Sequence, residues 1–327
     1  MSRVHVFSEY VWPDDSPTGI YAEQLADSMI ELGYESVLVG GTGTYRRGAR
    51  PAPKAPVARV DHWVGRRGPL VEVLRAYVSV TKAFADYIDR EVGPGDVVVM
   101  TSAPPLTLLL SSAVRRRRAT AVHWLQDYYP ELVRGLLEYP KPMRFMAEAV
   151  WNRLLLTWDF VVKSAGNLGY EGANSRVIRN WPTLDLGAPL QAIPKTALYS
   201  GNLGYAHDLR SFIQACETLH ADGYRVTVRG DGPGIARLPA WIVRESPVED
   251  VNVLIRSYWE AEVHLVAGHP RIHRAVFPSK VWNSIASGRR IIATGFAPVM
   301  QRELEVSVNA DHRAHRRDFA NFVASLL

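Results

Sequence analysis

TALYSGNLGYAHDLRSFIQACETLHADGYRVTVRGDG, residues 196–232, reads as strand, glycine-bearing loop, helix, strand. The strands fall at 196–200 and 225–228 and the helix at 209–221. What decides the fold is where this unit stands, because the same order already opens the chain. A short apolar strand at 4–7 leads into a Pro-rich polar loop at 12–19. A helix at 20–32 follows, with Ile20, Leu25, Ala26, Met29 and Leu32 on one face and Gly33 at its end. A second strand occupies 36–39. The first half then continues with strands at 96–100, 120–125, 159–163 and 177–178, and helices at 71–91, 106–117 and 141–158. Residues 183–194 hold Pro, Gly and Ala without periodicity and read as a linker. After the restart come a strand at 241–243, a helix at 251–259, a strand at 262–266, a short helix around Val281, Trp282 and Ile285 that stops at Gly288, and a strand at 291–294. Strands that alternate with helices form parallel sheets covered on both faces. The reading is therefore α/β: two Rossmann-like domains with parallel sheets facing a central cleft. The expected domains are 1–182, the linker 183–194, and 195–312. A last helix, 313–327, carries Phe319, Phe322, Val323 and Leu326 on one side and is free to cross back to the first domain.

The 327 residues are 47% hydrophobic and 22% charged, enough for two cores. The single cysteine, Cys216, allows no internal disulfide, reads as a core residue and fits a reducing cytoplasm. Residues 1–12 lack the basic start and apolar stretch of a secretion signal, and no apolar run approaches the ~18 residues that span a bilayer. The expectation is a cytoplasmic protein, peripheral to the inner membrane face at most. A net charge of +5 suits anionic substrates or an anionic lipid surface and falls short of a dedicated nucleic-acid binder. No CxxC or HExxH spacing occurs, so no metal site is expected.

In open parallel sheets, ligands bind beyond the carboxyl ends of strands, so the loops that follow strands are the candidates. Gly19, in Pro17-Thr18-Gly19, either lets a ligand approach the start of the first helix or makes an ordinary turn. Gly201, Asn202 and Gly204 suit a phosphate-facing turn. Their spacing is not G-x-G-x-x-G and no acid stands at the ribose-binding offset, which argues against a dehydrogenase. Gly230-Asp231-Gly232 is a tight turn in which Asp231 either caps the backbone or meets a ligand. The fourth loop is Pro278-Ser279-Lys280, heading the short helix. Proline suits a first turn. Free N–H groups and the helix dipole favour an anion by about 0.3–2 kcal/mol, and Lys280 adds a full charge. The alternative is a capped core helix with an exposed lysine.

Taken in order, these loops resemble a known pattern. Pro17-Thr18-Gly19, Ser102-Ala103-Pro104-Pro105, Asp127-Tyr128-Tyr129-Pro130-Glu131, Asn180-Trp181, Tyr199-Ser200-Gly201-Asn202-Leu203-Gly204, Gly230-Asp231-Gly232, His264-Leu265-Val266, Pro278-Ser279-Lys280 and Ala286-Ser287-Gly288-Arg289 cover nearly the whole chain. The set resembles glycosyltransferase family 4, retaining enzymes of the GT-B fold, in the bacterial colanic-acid and O-antigen fucosyltransferase branch with a Pro-Ser-Lys motif. The resemblance implies a nucleotide-sugar donor in the second domain, UDP favoured, and a saccharide or lipid-linked acceptor in the first, as in polysaccharide biosynthesis. It implies Gly19 against the diphosphate across the cleft, with Gly201, Asn202, Gly204 and Asp231 on the side of Lys280. Arg244 and Ser246 would lie near the base, and Pro278, Ser279 and Lys280 at the phosphates or donor sugar. Two family glutamates are replaced here by Ala275 and Asn283. Asn283 would then hydrogen-bond the ribose, and His273 or Arg274 would take over the donor-sugar contact. Where the family carries an arginine and a lysine, Asn202 and His207 stand, which leaves Lys280 as the chief cation.

Sugar transfer requires donors aimed at the departing diphosphate, an oriented acceptor hydroxyl, and a group for its proton. Asp127, just past the strand at 120–125, is the candidate base. If the leaving phosphate takes the proton instead, Asp127 orders its loop or binds acceptor. His123 reads as structural and Asp14-Asp15 as a solvated loop. Arg115–Arg118 either complements a helix dipole or, with the apolar helix at 141–158, meets an anionic membrane. Two rival functions remain: a GT-B-fold epimerase and a non-catalytic nucleotide-sugar binder.

Overall fold

A computed structural model describes residues 2–43, 50–64, 70–136 and 141–327. The first part of the chain runs β1 (Arg3–Ser8), α1 (Pro17–Glu31), β2 (Glu35–Gly41), β3 (Val57–Val60), α2 (Leu70–Glu91), β4 (Val97–Thr101), a 3₁₀ turn (Pro105–Leu110), α3 (Ser111–Arg116), β5 (Thr120–Leu125), α4 (Tyr129–Leu136), α5 (Lys141–Leu155), β6 (Phe160–Lys163) and β7 (Ser175–Val177). The second runs β8 (Ile193–Ser200), α6 (Leu209–Ala221), β9 (Arg225–Arg229), β10 (Val243–Glu245), α7 (Val251–Glu260), β11 (Ala261–Ala267), α8 (Lys280–Ala286), β12 (Arg290–Thr294), α9 (Pro298–Val308) and α10 (Ala314–Ala324).

Two sheets result, ordered β3-β2-β1-β4-β5-β6-β7 and β10-β9-β8-β11-β12, and every neighbouring pair is parallel. Parallel neighbours need helical crossovers, which bury both sheet faces and turn central strands into continuous apolar runs. β4, Val-Val-Val-Met-Thr, is buried at every position. One face of the first sheet packs Tyr21, Leu25 and Met29 of α1 together with Phe319, Phe322 and Val323 of α10. The last helix thus lies on the first sheet, and Phe319 meets Trp124 edge-on at 4.6 Å. The opposite face carries Phe84 and Ile88 of α2, Val114 of α3, and Leu155 of α5. The second sheet has its own core around Tyr199, Phe212, Cys216, Val228 and Leu265. Burial pushes the Cys216 thiol up to about 12, as expected of a core cysteine.

The structure departs from the sequence reading in several places. β3, α4 and α9 were not anticipated. The helix expected at 106–117 begins as a 3₁₀ turn and becomes α-helical only at Ser111. The strand expected at 241–243 begins at Val243 instead. The expected linker is shorter, because β8 already starts at Ile193. Asp14-Asp15 is not a solvated loop: Asp14 is buried, and Asp15 pairs with Arg50 at 2.7 Å. Arg50 also grips Glu23 at 2.6 Å and so ties this loop to α1.

The carboxyl edges of the two sheets meet. The segment after β11 crosses to the loops that follow β5 and β6. Tyr128 N donates to Ala275 O at 2.7 Å, and Gly169 N donates to Arg274 O at 2.9 Å. Asn167 Nδ2 donates to His273 O (2.7 Å) and Val276 O (3.0 Å). Farther along, Arg179 and Glu303 of α9 form a two-pronged pair at 2.7 and 3.2 Å. Among the described residues no helix is long and apolar enough to cross a membrane.

Candidate active site

The second sheet's wall of the cleft is built around Lys280. Its side chain lies on the backbone of Gly201: a Cβ added there would stand 1.5 Å from Lys280 Cε. Gly201 also has φ +140°, which only glycine adopts without strain. The glycine therefore seats the lysine rather than a ligand. The ammonium sits 5.8 Å from the ring centre of Tyr199. Among the described residues no carboxylate pairs with it. Burial lowers its pKa to about 8, so the cation is held in a site that disfavours charge. His207, next to it, is depressed to about 4 by burial first and by the Lys280 charge second, and stays neutral. His207 Nδ1 accepts from Gly204 N at 3.0 Å, which fixes the turn. A desolvated ammonium without a counter-charge, flanked by neutral rings, can attract an anion.

Behind Lys280 the glycine turns interlock. A Cβ on Gly230 would stand 2.0 Å from Gly201 O, and one on Gly232 would stand 2.2 Å from Asn202 Oδ1. Leu203 N donates to Asp231 O at 2.7 Å. The Asp231 side chain is exposed, as is that of Asn202. Tyr199 OH donates to Asn202 O at 2.7 Å. Arg244 and Ser246 are exposed at the end of β10, two strands from β8, and the Arg244 guanidinium caps Leu238 O. Arg229 was not singled out from the sequence. It bonds Glu245 at 2.8 Å, while its second terminal nitrogen is buried without a partner. Any Arg that ends a strand at this edge carries that signal.

Several expected contacts are not made. Asn283 faces the linker, not the cleft. Its Oδ1 accepts from Thr183 N at 2.9 Å and Leu184 N at 3.2 Å, and its Nδ2 donates to Thr183 Oγ1 at 3.2 Å. A side chain saturated in this way is not free for a ribose, so Asn283 is a clip between α8 and the linker. Asn283→Ala is expected to cost about 1–3 kcal/mol of stability, read by thermal unfolding, and to change nucleotide affinity less than threefold. Pro278 lies before α8, whose cap position is Ser279 with no side-chain cap bond. Pro278 thus sets the approach to the helix rather than its first turn. His273 Nδ1 is engaged by Pro270 O at 2.7 Å, and Arg274 donates to Gly169 O at 3.0 Å. Both brace the crossing segment. Ala275, where the resemblance would put a glutamate, is fully buried. Gly19 answers to its own chain, since a Cβ there would stand 2.0 Å from Tyr10 O.

The opposite wall comes from the first sheet. Ser102 Oγ, past β4, accepts from Gln126 N (3.0 Å) and Asp127 N (3.1 Å) and fixes the bend after β5. The Asp127 carboxyl has no hydrogen-bond partner among the described residues, and burial raises its pKa to about 6. It adjoins Tyr128, the residue bonded to Ala275 of the crossing segment. The sequence reading missed a second carboxyl. Glu9 directly follows β1 and is buried. Burial lifts it to about 7 against the opposing effect of a hydrogen bond with Tyr10. Tyr129 is pushed well up by burial and then by Asp127, Tyr77 and Glu9, so it lies within reach of both acids. An acid in the first position after a buried strand was the available signal. His123 is a neutral ring, held down to about 3 by burial and packed 4.9 Å from Trp158.

No family model matches the chain, and no curated protein matches it in sequence. Solved structures do match. Sucrose-phosphate synthase from Thermosynechococcus elongatus aligns over 100% of this chain and 95% of its own at TM-score 0.68 and 14% identity. An α,α-trehalose-phosphate synthase (UDP-forming) from Burkholderia vietnamiensis aligns over 99% of each chain at TM-score 0.61 and 12% identity. WaaG, a glycosyltransferase involved in lipopolysaccharide biosynthesis, aligns over 99% of each at TM-score 0.59 and 12% identity. The fold is GT-B. The edges joined through Tyr128 and Ala275 are the walls of the GT-B cleft, with Lys280 on one and Asp127 on the other.

Proposed function

We propose that this protein is a glycosyltransferase that moves a sugar from a nucleotide-diphosphate donor, UDP-sugar favoured, to a glycan, lipid-linked or natural-product acceptor, with retention and without a metal. The observation that carries this reading is the desolvated, unpaired Lys280 seated on Gly201 at the carboxyl edge of the second sheet. The family-4 motifs and the GT-B fold support it. In this reading residues 195–312 bind donor and residues 1–182 bind acceptor. The bond between the anomeric carbon and the diphosphate oxygen breaks while the acceptor oxygen bonds the same carbon. Lys280 and the amides near Ser279 take the charge that develops on the diphosphate. Asp127 takes the acceptor proton, or orients the hydroxyl while the leaving phosphate takes it.

A second reading, a non-catalytic nucleotide-sugar binder, has one observation in its favour: neither Ala275 nor Asn283 offers the cleft a carboxylate. Incubation with UDP-, GDP- and dTDP-sugars separates the two. Transfer or slow hydrolysis of one donor series, with release of its nucleoside diphosphate, is the expected result. Tight binding with no release from any donor would contradict the transferase reading.

A further inference from the structure

The first sheet's wall of the cleft holds one acid more than proton transfer needs. Glu9 and Asp127 stand beyond the carboxyl ends of β1 and β5, with only β4 between those strands. Phe7, Met100 and His123 lie level across the three strands, and Phe7 meets Phe84 of α2 edge-on at 5.2 Å. Side chains alternate along a strand, so Glu9, two positions past Phe7, continues the face that α2 covers. There it raises the pKa of Tyr77 of α2, second to burial. Asp127 reaches the same place from the bend after β5, since Tyr129 answers to burial first and then to Asp127, Tyr77 and Glu9 together.

The segment past β4 braces both acids. Glu9 N donates to Ala103 O at 3.1 Å, and Asp127 N donates to Ser102 Oγ at 3.1 Å. Strands in a sheet stand about 4.8 Å apart, so the two braced backbones are roughly 10 Å apart, a gap that one sugar ring and its substituents span.

The charges in this gap are unbalanced. Glu9 is only 5% exposed and Asp127 is half-buried. Among the described residues no cation acts on either carboxyl. A desolvated carboxylate without a counter-ion is costly, and a neutral side chain would orient an acceptor hydroxyl without that cost. An ammonium offsets it: the carboxylates accept its hydrogen bonds, and the rings of Tyr77 and Tyr129 add to the attraction. The opposite wall has the reverse imbalance, in Lys280.

Resting on the transferase reading above, we propose that the acceptor is an amino sugar with a free amine, and that Glu9 is the specificity-determining residue that holds its ammonium while Asp127 serves the hydroxyl. The amine is bound and not glycosylated. Its charge also favours the ionised form of Asp127, the form a base needs.

The test compares glucosamine with N-acetylglucosamine, which keeps the ring and loses the charge. Both are titrated calorimetrically into wild type and Glu9→Gln at pH 6.5, and UDP is titrated into the same preparations. Wild type is expected to bind glucosamine at least tenfold more tightly than N-acetylglucosamine. Glu9→Gln should bring the two within about twofold of each other while its UDP affinity stays within about threefold of wild type, because UDP is seated on the other wall. The wild-type ratio stands as a test whatever the variant does. No binding of glucosamine by wild type, equal binding of the acetylated sugar, or a wild-type preference kept by Glu9→Gln overturns the proposal. Failure of wild type to bind UDP counts instead against the transferase reading, so the two failures are told apart.

Discussion

Lys280→Ala is expected to lower kcat/KM for the donor by about 10²–10³, the usual effect of losing one preorganised donor at a site of developing charge. Lys280→Arg should rescue little of this. The groove is so close to Gly201 that an added methyl would stand 1.5 Å from the lysine Cε, and a planar guanidinium does not fit where a narrow alkyl stem lies. Stability should move the other way. The pKa of Lys280 is about 8 in the folded chain, below the ordinary 10.5. Between those values the unfolded chain binds more protons, so stability rises with pH across that window, and the cost of the buried charge is fully present below pH 8. Lys280→Met is therefore expected to be more stable than wild type at pH 7, by about 1–2 kcal/mol, while being inactive. A thermal melt and a rate measurement on one preparation test both.

The second large effect concerns Asp127 and the pH profile. Burial holds its carboxyl at about 6, and a base must be ionised to act. kcat/KM, which reports the free enzyme, should rise as pH passes about 6 and fall again as Lys280 loses its proton near 8, which gives a narrow bell. Asp127→Asn should lower kcat by about 10²–10⁴ and remove the acid limb. Glu9, at about 7, is the other buried acid on this wall. If Asp127→Asn keeps both its rate and an acid limb near 7, Glu9 is the proton acceptor and Asp127 only orders the bend held by Ser102.

The two-sheet architecture was legible because its strands are buried runs and its helices are strongly periodic. β4 and α1 are examples, and the restart at 196–232 could hardly be read as one continued sheet. What escaped was short or marginal. β3 has four residues at a sheet edge after a Pro-rich stretch, with a single buried side chain. α9 mixes charged residues with valine, and its anchor is a tertiary one, Glu303 on Arg179. Near the cleft, the place of Lys280 after a strand's carboxyl end was legible from local chemistry, but its packing on Gly201 was not. Asn283 was not, because its partners are the linker residues Thr183 and Leu184, a hundred positions away. Gly19 and Gly201 were read as ligand-facing because sequence reveals that a Cβ is absent but not what fills the space. Here the space holds Tyr10 O and the Lys280 stem.

Calorimetric titration of UDP into wild type and Lys280→Ala at pH 7, and into wild type at pH 9, tests the central claim that Lys280 is the diphosphate seat. The account predicts at least 100-fold weaker binding by the variant. It also predicts uptake of close to one proton per UDP bound by wild type at pH 9, where the free lysine is mostly neutral and the diphosphate recharges it. Equal affinity of variant and wild type, with no proton uptake at pH 9, would contradict it.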